Sequence, residues 1–383
     1  MTLASPVSAA NHAGADPGAP GRPKPALPQP ALLEGEGTQV RLRDGAPETP
    51  APSALSWLVA DADSGEVLAA HDAHAKLPPA STLKTLFALT ALPAVPSGAQ
   101  HTVTQADLAG IGEGSSLVGV VQGHTYQVSD LWRGVFLNSG NDAVHVLAAL
   151  NGGWQQTADK MQTKAHALGA LDTHVVSPDG YDADGQVSSA YDLAVFGRAG
   201  LRNPDFARYC STAQSTFPGN DGASFGIANT NRLLTGADGV QRYPGLVGIK
   251  NGYTTNAGNT LVAAAKRNGH TILVTLMHPQ QGGGFEVYEE ARQLLDWGFD
   301  ATGHVDPVGS LDALRPVAHE TRVAAPPQHA PTRPHAAPVT ASAAASASEW
   351  QQTAGLVAAG VGLSAAAVAT AVVVRRRNRL ARG

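Results

Sequence analysis

Proline sets the outer limits of what this chain can fold into. Pro17, Pro20, Pro23, Pro25, Pro28 and Pro30 punctuate the beginning, and Pro326, Pro327, Pro331, Pro334 and Pro338 punctuate residues 306–350. Proline lacks a backbone donor and fixes φ, so neither tract continues a helix or an inner strand. Both tracts are poor in large apolar side chains and cannot bury a core. Residues 1–52 are therefore expected to be a disordered N-terminal segment, and 306–350 a semi-extended Pro/Ala-rich linker. Folding is left to residues 53–305.

Beyond the linker, Ala354 to Val374 is uncharged. At about 1.5 Å per residue it is about 30 Å long as a helix, the thickness of a bilayer's hydrocarbon core. Trp350 precedes it, and Arg375, Arg376, Arg377, Arg379 and Arg382 follow. This predicts a transmembrane helix over 351–374 and a basic cytoplasmic tail over 375–383. By the positive-inside rule the chain is a single-pass protein of the cell membrane, with everything before Trp350 extracytoplasmic. Met1 is not followed by a basic region and an apolar core, so no signal peptide is visible. Val7-Ser8-Ala9 resembles the small-residue end of one, and the native start is expected upstream.

Net charge is −5, and no long basic run lies outside the C-terminal end, which excludes a nucleic-acid binder. The lone cysteine, Cys210, excludes an intramolecular disulfide and a multi-cysteine metal site. It is expected to be a small buried hydrophobe.

Within 53–305, Ser56–Ala60 and Glu66–Ala70 read as strands joined at Asp63-Ser64-Gly65. Thr260–Ala265 and Thr271–Met277 flank Arg267-Asn268-Gly269, a second hairpin signal. Leu246–Ile249 reads as a short apolar strand. Helices are predicted after Pro78-Pro79, over Val128–Asn151 with Ser129 or Asp130 as cap, over Trp154–Leu168, and over Ser189–Gly200. The last, Phe285–Phe299, carries Val287, Ala291, Leu294, Leu295 and Trp297 on one face. Strands at both ends around a helical middle predict an α+β fold, an antiparallel sheet packed by helices.

Three short motifs carry the chemistry. In Ser81-Thr82-Leu83-Lys84 the serine and lysine stand three apart, so a helix places them on one face within reach of each other. A serine hydroxyl needs an adjacent base to become a nucleophile, and a desolvated lysine can serve. Ser139-Gly140-Asn141 is a polar, small-residue break in an otherwise apolar helical pattern. In Lys250-Asn251-Gly252 a lysine at a strand end can present its ammonium to a carboxylate, and the glycine lets a ligand approach the backbone. Each also has a structural reading: a helix cap, an inter-helix turn and a solvent-facing turn.

Together the three resemble the active-site triplet of penicillin-recognising serine enzymes, Ser-x-x-Lys, Ser-x-Asn and Lys-Thr-Gly. Ser139-Gly140-Asn141-Asp142-Ala143, Pro178-Asp179-Gly180, Ser189-Ala190-Tyr191-Asp192-Leu193 and Asn229-Thr230-Asn231-Arg232-Leu233-Leu234 narrow the resemblance. They are similar to segments of the low-molecular-mass D-alanyl-D-alanine carboxypeptidases, serine peptidase family S11, across about residues 55–300. The resemblance implies a serine β-lactamase/transpeptidase-like fold and a site without metal or cofactor. It implies Ser81 as nucleophile, Lys84 as its base, Ser139 as proton relay and Asn141 as holder of substrate amide and Lys84. Lys250, Asn251, Gly252 and Tyr253 would bind substrate, with the amides of Ser81 and Tyr253 forming an oxyanion hole. The implied partner is a peptidoglycan stem peptide ending in D-Ala-D-Ala, with β-lactams as covalent inhibitors.

The sequence departs from the family in two places. Asn251 stands where the family usually has threonine, whose hydroxyl helps bind the carboxylate. The β-rich second domain that often follows is not seen before the linker. A serine β-lactamase would need a deacylating glutamate, and Ser177 to Gln186 holds Asp179, Asp182 and Asp184 but no Glu. A catalytically weakened penicillin-binding pseudo-enzyme is the reading that Asn251 motivates. A zinc peptidase finds only His71 and His74 as a close histidine pair, without helical ligand spacing.

Overall fold

In the computed structural model, which describes residues 32–312, the predicted hairpins join one antiparallel sheet. The strands are β1 (Thr38–Val40), β2 (Ala54–Asp61), β3 (Glu66–His71), β4 (Gln100–Thr102), β5 (Thr125–Gln127), β6 (Gln214–Pro218), β7 (Ser224–Ala228), β8 (Leu246–Thr254), β9 (Gly258–Arg267), β10 (His270–Pro279) and β11 (Gly309–Ser310). The helices are α1 (Lys84–Ala91), α2 (Val128–Leu137), α3 (Asn141–Leu150), α4 (Trp154–Ala167), α5 (Ala190–Leu201), α6 (Pro204–Cys210), α7 (Arg232–Thr235) and α8 (Glu286–Ala301). The main sheet runs β1-β3-β2-β10-β9-β8, with β11 added to β3, so β8 is an edge strand. β4–β5 and β6–β7 form separate two-stranded ribbons.

Period-two alternation sorts the sheet's side chains into two cores. Trp57, Val59, Ala263, Ile272 and Val274 face α8, whose five predicted apolar positions are all buried there. Leu58, Ala60, Val262, Leu273 and Met277 face the helical layer that contains α1, α2 and α5. Asn268 (φ 52°) and Gly269 (φ 86°) both take left-handed backbone, the geometry that matches a tight hairpin to strand twist. Ser189 caps α5 by accepting a hydrogen bond from the Asp192 amide.

Five expectations change. Residues 32–52 do not all belong to a disordered segment: Leu33 is buried and β1 pairs with β3, Gln39 opposite Ala70. The folded unit also passes 305, because β11 pairs with β3 and the buried Arg198 binds Asp312. The Val128–Asn151 helix is two helices, because Ser139 sits at φ 57° between α2 and α3. Its first residue is uncapped by either Ser129 or Asp130; Gln127 holds the cap position without a side-chain bond. Lys250 lies inside β8 rather than at a strand end. Cys210 is buried as expected, and burial pushes its thiol up to about 12. No helix of the described residues is long and apolar enough to cross a membrane; the predicted span at 351–374, its tail and the linker beyond 312 lie outside those residues.

Candidate active site

Ser81 sits in a 3-10 turn, Ala80–Leu83, that leads directly into α1. The turn is held from several sides. The Pro79 carbonyl accepts hydrogen bonds from Thr82 Oγ1 at 2.5 Å and Thr260 Oγ1 at 3.0 Å. Ala80 takes φ 50°, and its carbonyl meets Gly180 so closely that a Cβ there would lie 2.0 Å away. Strained backbone of this kind costs of order 1–3 kcal/mol and persists where surroundings impose it.

The turn and α1 bring Lys84 Nζ to 2.6 Å from Ser81 Oγ. Nζ also lies 3.5 Å from Ser139 Oγ and donates to the Asp179 carbonyl at 2.8 Å. Lys84 is 1% exposed. Burial lowers its pKa to about 8, although the charges of Asp179 and Asp142 pull it back up.

Ser139 reaches this cluster because of its left-handed backbone between α2 and α3. The break is braced by Asp142, whose carboxylate accepts the amides of Val118 (3.0 Å), Gly119 (2.8 Å) and Val120 (2.8 Å). Gly140 admits no side chain, since a Cβ would lie 2.7 Å from Asp142 Oδ1. Asn141 Nδ2 donates to Ser115 Oγ at 3.0 Å, while Asn141 Oδ1 is buried with no partner. The expected bond between Asn141 and Lys84 is not formed; the Asp179 carbonyl takes that place. A buried acceptor without a donor is costly, and at a site it marks where a ligand N–H fits.

β8 closes the other side. Its register shifts between Leu246 and Gly248, a bulge of the kind that re-aims neighbouring side chains. Lys250 follows, 2% exposed, with Nζ donating to the Asn251 carbonyl at 2.7 Å. Burial, with the Lys84 charge second, holds its amine well below the usual lysine range. A Cβ on Gly252 would lie 2.6 Å from the Ser81 amide nitrogen. Glycine is thus what lets the Ser81 N–H face the strand just before Tyr253. The Tyr253 side chain is 69% exposed.

All three motifs therefore converge on Ser81 Oγ and its amide. A hydroxyl bonded to a buried amine of lowered pKa, a donor amide beside it and a second buried amine can perform acyl transfer to serine. Four participants were not singled out from sequence: Asp142 as brace, Ser115, the Asp179 carbonyl, and Thr230, whose hydroxyl donates to Asn251 Oδ1 at 2.9 Å. Gly180, with φ 78°, was the one local signal for the Asp179 turn.

A family model described as D-alanyl-D-alanine carboxypeptidase, Peptidase S11, matches residues 44–280. The chain belongs to this family. It is similar to D-alanyl-D-alanine carboxypeptidase DacB2 of Mycobacterium tuberculosis, 40% identical over 270 residues, covering 70% of this chain and 89% of that protein. It is also similar to DacA of Escherichia coli, 33% identical over 286 residues, covering 71% and 67%. Among solved structures, a D-alanyl-D-alanine carboxypeptidase from Mycobacterium tuberculosis matches with a TM-score of 0.63 and 38% identity, covering 70% of this chain and 99% of that one. Penicillin-binding protein 6B from Escherichia coli matches with a TM-score of 0.59 and 32% identity, covering 68% and 81%. These neighbours share the expected fold class, an antiparallel sheet with helices.

Proposed function

We propose that this S11 peptidase removes the terminal D-Ala of peptidoglycan stem peptides through an acyl-enzyme on Ser81. The observation that carries the reading is the 2.6 Å approach of the buried Lys84 amine to Ser81 Oγ. Lys84 takes the hydroxyl proton as Oγ attacks the carbonyl carbon of the penultimate D-Ala. The amides of Ser81 and Tyr253 stabilise the oxyanion. Ser139, 3.5 Å from Nζ, passes the proton to the leaving amine, and the C–N bond breaks to release D-Ala. Water then hydrolyses the ester. Asn141 Oδ1 accepts the substrate's amide N–H, and Lys250 holds the terminal carboxylate. β-Lactams acylate the same oxygen and stay attached.

A β-lactamase reading is less well supported. The Asp179 carboxylate is engaged by Ser177 Oγ and the Tyr181 amide, and that of Asp182 by the Asn256 amide. These bonds tie Asp179 and Asp182 to the loop backbone and to Ser177, and the stretch from Ser177 to Gln186 holds no glutamate. The charge-free stretch Ala354–Val374 and the arginines after it support a single-pass anchor in the cell membrane, with the peptidase domain outside and the C-terminus in the cytoplasm.

Release of D-Ala from a pentapeptide by the full chain tests the chemistry. Ser81→Ala is expected to abolish both release and covalent labelling by a fluorescent penicillin; release that survives the substitution overturns the proposal. Protease protection in intact cells tests the topology, and a protected peptidase domain refutes it.

A further inference from the structure

Asn251, next to Lys250 on the edge strand β8, pairs with Thr230, and the pairing has a polarity. An amide side chain offers one acceptor oxygen and two N–H donors. Thr230 Oγ1 donates to Asn251 Oδ1 at 2.9 Å, which occupies the oxygen. Asn251 Nδ2 makes no hydrogen bond to any described residue and is not among the buried unpartnered atoms. The free end of the amide is therefore its N–H end, reached by solvent on an edge strand beside Lys250.

Thr230 is itself fixed at both ends. Its amide donates to the Leu137 carbonyl at 2.9 Å, at the last residue of α2 before the Ser139 turn. Its carbonyl accepts from the Tyr288 hydroxyl at 3.2 Å, and Arg232 donates to that hydroxyl at 3.3 Å. One threonine thus ties the Ser139 segment to β8. A hydroxyl held by two main-chain anchors has little freedom to follow a rotating amide.

We infer that Thr230 is a positioning residue that aims the Asn251 amide donors at the substrate's terminal carboxylate. The inference rests on the acyl-transfer reading above. It gives the pair, rather than Asn251 alone, the work of a carboxylate-binding hydroxyl at this position. Were the amide turned round, Oδ1 would face the carboxylate and repel it.

Two acyl-D-alanyl thioesters test this on the full chain, one ending in a free carboxylate and the other in its methyl ester. Thr230→Val is expected to raise KM for the carboxylate substrate about tenfold or more, the usual worth of a hydrogen bond to a charged group. It should leave kcat and the methyl-ester kinetics within about twofold, and Thr230→Ser should restore the KM. In an Asn251→Thr background, Thr230→Val should add little, because no amide remains to orient. Asn251→Asp keeps the Thr230 bond but replaces the donors with oxygen. It should weaken the carboxylate substrate by more than about 100-fold and spare the ester, which gives a second reading if Thr230→Val folds poorly. Equal losses on both thioesters, or additive losses in both backgrounds, overturn the inference. Turnover by Ser81→Ala would instead sink the underlying catalytic reading, whatever Thr230 does.

Discussion

The two faces of the main sheet follow opposite rules. Behind it, α8 lays Val287, Ala291, Leu294, Leu295 and Trp297 onto an apolar sheet surface in regular helical geometry. In front of it and along β8, two lysines are buried, and Ala80 and Ser139 take backbone that side chains disfavour. The rear face spends its sequence on stability and the front departs from local rules to place reacting atoms. Residues that break a local rule without a packing benefit are where function is expected.

Substitutions can break that contrast. The largest effect is expected from Lys84→Met, an apolar side chain of similar length. It should lower kcat/KM by about 10³-fold or more by removing the base, while leaving thermal stability unchanged or higher. A large fall in melting temperature would mean the front face is structural after all. Gly252→Ala comes next. Its Cβ would press on the Ser81 amide, and loss of one oxyanion donor costs about 10²–10³-fold in rate. Rates of acylation by a penicillin measure it, and a wild-type rate would remove that amide from the mechanism.

Leu294→Ala should do the reverse. A buried leucine truncated to alanine costs about 2–5 kcal/mol of stability, read by denaturant unfolding, with kcat unchanged where the variant remains folded. An altered kcat would couple the two faces. The smallest effect is a pH dependence. Burial lowers the Lys84 pKa to about 8, and the base is the neutral amine. Below that pH the neutral fraction falls about tenfold per unit, so kcat/KM should climb with pH and level off above about 8. A flat profile from pH 6 to 9 would show that another group takes the serine proton.

The same contrast decides how much was legible in the sequence. The α8 face, the Asn268-Gly269 hairpin and the Ser189 cap were readable because each is a local pattern of side-chain types. Ser81, Lys84, Ser139, Asn141 and Lys250 are readable as types at a spacing; the fold brings Ser81 and Ser139 to Lys84 Nζ, while Asn141 bonds Ser115 and Lys250 bonds the Asn251 carbonyl. β1 was hidden because its strand order depends on pairing with β3, which no short window contains. The split at Ser139 is visible in the sequence as a polar break, while the Asp142 brace on Val118, Gly119 and Val120 beside it is non-local. The Asp179 contribution to Lys84 is a backbone carbonyl, which residue type does not announce. Thr230 lies in a segment that resembles the family, yet nothing local to it announces its task, because its partner Asn251 lies in another element.

β8 ends the sheet, so one side of it carries backbone groups that the sheet itself does not pair. Such an edge recruits any extended chain that arrives, productive or not. An enzyme of this design must welcome one kind of strand and turn away the rest, its own copies included. Sequence readout cannot do this, because main-chain pairing is indifferent to side chains. On the proposed function, selection would fall to the far end of the guest, where Lys250 and Asn251 would hold a chain that ends in a charge. Specificity for chain ends would in this sense be the edge strand's own safeguard against aggregation.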